Sequence, residues 1–81
     1  MFNYAKLRGR IKEIFDTEST FAKNLGISQT SLSQKLNNKV EFTQKEIEKA
    51  IELLHISKEE IPVYFFTLED EINARMGVSN E

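Results

Sequence analysis

In residues 17–39, TESTFAKNLGISQTSLSQKLNNK, a single glycine separates two short segments, each beginning with a hydroxyl residue able to cap a helix. That arrangement leaves the chain few folds to choose from. Thr17 opens the first segment, with Glu18 near the positive end of its helix and Phe21, Ala22 and Leu25 as its buried side. Gly26 follows Leu25 directly, where a left-handed residue ends a helix without steric cost. Ser28 caps the second segment, which the pattern carries from Gln29 to Leu36 before Asn37, Asn38 and Lys39 end it. Two helices joined this tightly form a helix-turn-helix. Ala22 is small where the second helix crosses the first, and Ile27 and Leu32 fill the space between them.

The flanking sequence supplies further helices. Tyr4, Leu7, Ile11 and Ile14 recur at spacings of three and four, so they form one stripe of a helix whose other faces carry Lys6, Arg8, Arg10 and Lys12. Gly9 inside that helix costs about 1 kcal/mol relative to alanine, which predicts a close approach by a neighbour. After a connector anchored by Val40 and Phe42, Thr43 and Glu46 form a capping-box pattern for a helix that buries Ile47, Ala50, Ile51 and Leu54. Ser57 and Glu60 repeat the signature, but Pro62 donates no backbone hydrogen bond, so a short helix or a bent, partly extended segment follows. Leu68, Ile72 and Met76 hint at a last weak helix. The expected architecture is all-α, a compact five-helix domain over residues 1–66 with a weakly helical or frayed tail over 67–81.

The outer face of the helix after Gly26 carries Gln29, Thr30, Ser31, Ser33 and Gln34, where an ordinary surface helix would carry glutamate and lysine. Such side chains hydrogen-bond base edges in a DNA major groove; glutamine pairs bidentately with adenine, and a threonine methyl can touch thymine. The net charge of −2 hides an asymmetry: residues 1–40 sum to +4 and residues 41–81 to −6, so one end can attract phosphates. The run FAKNLGISQTSLSQKLNNK, with Ala22, Gly26, Ile27, Ser28 and Leu32 at its core, resembles the lambda-repressor/Cro class of helix-turn-helix proteins, and the likeness covers residues 4–66. Within that class, LSQKLN and IPVYFF in a short chain are similar to small phage regulators of the Cro type. The resemblance implies a repressor that reads double-stranded operator DNA as a homodimer, weakly paired in solution. It assigns base reading to Gln29, Thr30, Ser31, Ser33 and Gln34, and phosphate binding to Thr17, Asn37, Asn38 and Lys39, with Arg10 and Lys35 completing that set. The carboxylate of Glu18 repels a phosphate unless the helix dipole or Arg10 offsets it. Many members of the class carry an aliphatic residue where this chain has Lys35, which implies a rotated or distorted end to the third helix.

Other chemistries find little support. There are no cysteines, His55 stands alone, the serines lack a histidine relay, and no glycine-rich phosphate loop exists, so neither an enzyme, a metal nor a cofactor is expected. No apolar run approaches the roughly 20 residues of a membrane span, and MFNYAKLRGR lacks the core of a signal peptide, so the expected location is cytoplasmic with no membrane partner and no small-molecule substrate. Val63, Tyr64 and Phe66 are the apolar reserve expected to form the dimer contact. The competing possibility is a protein-binding helical module, such as an antitoxin or antirepressor, that works through the acidic half.

Overall fold

The structure, a computed structural model, describes residues 1–69. Five α-helices follow in order: α1 Ala5–Phe15, α2 Glu18–Leu25, α3 Gln29–Leu36, α4 Gln44–Leu54 and α5 Ile61–Phe65, the last preceded by a 3-10 turn at Lys58–Glu60. The caps sit where the sequence puts them. Thr17, Ser28 and Thr43 each accept the backbone N–H of the third residue onward, and Glu46 returns the bond to the Thr43 N–H. Pro62 lies in the first turn of α5, where a missing N–H costs no intrahelical bond, so the segment is a short helix rather than an extended one.

Helix α2 packs against α1, α3 and α4 and so forms the centre of the domain. Phe21, Leu7, Ile11, Leu32, Leu54 and Phe65 are the large side chains sealed inside. At the corner, Gly26 takes φ 89°, and its N–H bonds the carbonyls of Ala22 and Lys23. Two sequence expectations for α1 are corrected. Nothing lies within 4 Å of a methyl group built on Gly9, so no neighbour requires that glycine. Ile14 is exposed, and Phe15 turns inward instead, its ring 5.5 Å from that of Phe21.

Helix α3 stays regular to Leu36, where Asn37 caps it. Lys35 occupies an interior position with 5% of its surface exposed. Its ammonium lies 3.1 Å from Glu46 Oε1, donates to the Glu41 carbonyl at 3.0 Å and sits 6.0 Å from the centre of the Phe42 ring. The stem fills the place of an aliphatic side chain while the charge is neutralised at the start of α4. Phe42 in turn meets Tyr4 and Phe65 edge-on at 5.5 and 5.4 Å.

One tie has no helical counterpart. Asn38 pairs its amide with the backbone of Phe2 on both sides, accepting the Phe2 N–H at 2.9 Å and donating to the Phe2 carbonyl at 2.8 Å. On the other edge of this segment, the Asn3 N–H bonds the Thr67 carbonyl and the Glu69 N–H bonds the Met1 carbonyl, making an isolated antiparallel bridge between Phe2 and Leu68. The globular unit therefore continues past residue 66 to Glu69. The expected last helix through Ile72 and Met76 lies outside the described residues.

Two substitutions test the glycine assignments in opposite directions. Gly26→Val forces a β-branched residue to positive φ and lowers unfolding free energy by at least about 1 kcal/mol, whereas Gly9→Ala raises it by about 0.5–1 kcal/mol; urea denaturation of both variants reads the signs. The carboxylate of Glu46 supplies a pH test. Burial alone raises its pKa, but the Thr43 N–H and Lys35 together outweigh burial and hold it below the ordinary 4.5. A carboxylate depressed in the folded state contributes stability above its unfolded pKa and loses it as pH falls through the lower folded value. Stability therefore drops in acid below about pH 4.5, and Glu46→Gln removes that part of the drop while costing up to about 3 kcal/mol at neutral pH by leaving Lys35 buried without its partner.

Candidate nucleic-acid interface

The surface to be judged is the outward side of α3. With about 100° between successive residues, Leu32, Lys35 and Leu36 face the core and Gln29, Thr30, Ser33 and Gln34 face solvent. Ser31 is half-buried on the flank, and its N–H is capped by Ser28. Among the described residues, the side chains of Gln29, Thr30 and Gln34 have no intramolecular hydrogen-bond partner, so their donors and acceptors are open. Ser33 Oγ is 3.3 Å from Asn37 Nδ2, which also donates to the Ser33 carbonyl at 2.9 Å.

The expected phosphate set divides. Lys39 is exposed. Thr17 is exposed too, although its Oγ1 already caps α2 at the Thr20 N–H. Asn37 is exposed at the end of α3. The other three are corrected. Lys35 is spent inside on Glu46, and a buried ammonium already bonded to a carboxylate and a carbonyl cannot reach a phosphate. Asn38 is committed to both polar backbone groups of Phe2. Arg10 lies at the far end of α4, where Nε donates to the Leu54 carbonyl at 2.9 Å and Nη1 pairs with Glu13 at 2.6 Å; a cation there satisfies carbonyls that the helix end leaves open.

Arg8, not Arg10, offsets Glu18. Its Nη1 is 2.7 Å from Glu18 Oε2, and its Nη2 donates to Asn37 Oδ1 at 3.3 Å, so one guanidinium joins the first turn of α2 to the end of α3. The sequence holds only a weak signal for this. Arg8 and Arg10 stand about 200° apart around α1, and spacing alone does not say which side meets the helix-turn-helix. In all, Arg8, Arg10 and Lys35 are neutralised by carboxylates, and the Lys6 ammonium lies 5.3 Å from the centre of the Tyr64 ring. Lys12, Lys23 and Lys39 are exposed, and so is Lys6 above the Tyr64 ring.

The expected dimer contact also divides. Tyr64 is interior, packed beneath Lys6, because α5 turns that face toward α1. Val63 and Phe66 are exposed at 43% and 47%. Phe66 meets Phe2 edge-on at 5.6 Å and shares a shallow hollow with Met1 and Val40. No cluster of candidate metal ligands occurs among the described residues, and none of their helices is long and apolar enough to cross a membrane.

The comparisons with known proteins agree with the helical architecture. The solution structure of the modulator of repression (MOR) of the temperate bacteriophage TP901-1 from Lactococcus lactis is similar to this chain at 40% identity and a TM-score of 0.72, over 80% of this chain and 88% of that one. No curated protein matches. A family model described as a protein of unknown function, DUF739, matches residues 1–68, a span that runs from the first residue through the Phe2–Leu68 bridge. The chain belongs to the DUF739 family.

Proposed function

We propose that this protein is a Cro-type regulator of a temperate phage, acting in the cytoplasm as a homodimer that reads operator DNA with α3. The observation that carries the proposal is the exposed, uncharged and internally unpartnered set Gln29, Thr30 and Gln34 on a helix fixed by a left-handed glycine corner. Side chains of this kind give direct base readout without drawing a carboxylate toward phosphates. The similar phage protein is named a modulator of repression, which supports a regulatory role in a phage. Because Arg8, Arg10 and Lys35 are neutralised internally, the intrinsic affinity for duplex is low and pairing on the operator matters more. One recognition helix covers too few base pairs to find a site in a genome, and two related by a twofold axis place their helices about 34 Å apart. Val63 and Phe66 are the contact proposed for that pairing, with Tyr64 set aside as core.

The same neutralised cations and the net charge of −2 favour a second reading, an antirepressor-like module whose partner is a protein. Salt separates the two. Affinity for a duplex selected from a random library falls linearly with log salt, with about −0.9 in slope for each phosphate neutralised; a flat titration assigns the protein-binding reading. For pairing, Phe66→Lys leaves the circular dichroism and half-site affinity unchanged and abolishes cooperative binding to the full inverted repeat, whereas undiminished cooperativity places the contact elsewhere.

A further inference from the structure

The ion pair between Arg8 and Glu18 differs from the other two in where it lies. Arg10 and Glu13 close the far end of α4, and Lys35 and Glu46 are interior, but the Arg8 and Glu18 side chains are 37% and 35% exposed beside the proposed reading helix. Arg8 Nη2 touches Asn37, and Asn37 Nδ2 touches Ser33, which belongs to the solvent face of α3. A helix with its side chains nearly fills a major groove about 12 Å wide, so a group attached to its flank stands against the phosphate strand that borders the groove. A guanidinium offers five N–H donors in a fork suited to phosphate, and the bonds to Glu18 and Asn37 occupy only some of them.

Resting on the duplex reading above, we propose that Arg8, held at the junction of α2 and α3, is a backbone-phosphate ligand in the DNA-bound protein and that Glu18 is its internal competitor. Solvent-exposed ion pairs are weak, so a phosphate can replace the carboxylate without unfolding anything. The free protein thereby keeps its best-placed cation masked, and the Glu18 carboxylate lowers affinity for any duplex regardless of sequence. The plainer alternative is that the pair only fastens α1 to α2 and its carboxylate repels phosphates from a distance.

The test is a set of salt titrations on a duplex selected from a random library, using the full chain as parent, Glu18→Gln, Arg8→Gln and the double variant, each first confirmed folded by thermal melting. Arg8→Gln removes one phosphate contact and flattens the slope of log affinity against log salt by about 0.9, whereas Glu18→Gln keeps the slope of the parent and tightens binding up to about fivefold by removing the competitor. The tightening requires Arg8, so the double variant binds no more tightly than Arg8→Gln. An unchanged slope in Arg8→Gln removes Arg8 from the interface, and an equal tightening by Glu18→Gln in the Arg8→Gln background shows simple repulsion; either result overturns the proposal. If the glutamine variants at Arg8 fail to fold, Arg8→Met, which keeps the aliphatic stem, takes their place. A parent and a Glu18→Gln protein that both lack salt-dependent duplex binding overturn the duplex reading together with this one.

Discussion

Between the last turn of α3 and the first turn of α4, the ammonium of Lys35 and the carboxylate of Glu46 meet at 3.1 Å with little water around them. Glu46 Oε1 also accepts the Thr43 N–H, so one carboxylate closes the start of α4 and neutralises the end of α3. A pair of this kind is not a large net source of stability, because desolvation consumes much of the attraction. Its consequence is geometric. The ammonium also holds the Glu41 carbonyl, and the connector between the helices is thereby fixed with Phe42 wedged between Tyr4 and Phe65. The same connector carries Asn38, which clamps Phe2, and Phe2 in turn bridges to Leu68. The orientation of α3, the path of the N-terminus and the exposed ring of Phe66 all follow from where this connector is held.

The two helices joined at Gly26 were legible because their determinants are local. A cap, a left-handed glycine and a capping box act within four residues of chain, and Thr17, Gly26, Ser28, Thr43 and Glu46 each do what their positions dictate. The solvent face of α3 was legible for the same reason, since Leu32 fixes which way the helix is rolled. What was hidden depends on partners distant in sequence. Lys35 looks like a surface cation until Glu46 is brought beneath it, Arg10 becomes a cap only because α4 ends beside it, and Asn38 has no local reason to bind residue 2. Gly9 misled in the other direction, because a propensity cost suggested a packing reason that does not exist.

The positive charge of the first forty residues was therefore an overestimate of what a polyanion would meet. The sum of +4 already subtracts Glu13 and Glu18, and the pairing of Lys35 with Glu46 from the other half of the chain lowers it by one more. The outward side of α3 is rich in hydrogen-bonding groups and poor in charge. Such a face gains little from long-range attraction and much from being held rigidly, since each donor must meet its acceptor with good geometry to offset the water it displaces.

That balance explains the distribution of chemistry along the chain. A lysine or arginine on the outward side of α3 would raise affinity for every duplex alike, because phosphate contacts carry no sequence information. Under the proposed duplex reading, glutamine, threonine and serine forgo that gain and leave discrimination to base edges, with the ordering of the helix supplied from behind by Leu32, Leu36 and the interior stem of Lys35. On the proposed duplex reading, a protein built this way binds weakly where the sequence is wrong and depends on a second copy where it is right. On the same reading, the exposed groups at Phe66, Val63 and Val40 are the surface a second copy would cover, since pairing two weak readers multiplies their discrimination without adding charge to either.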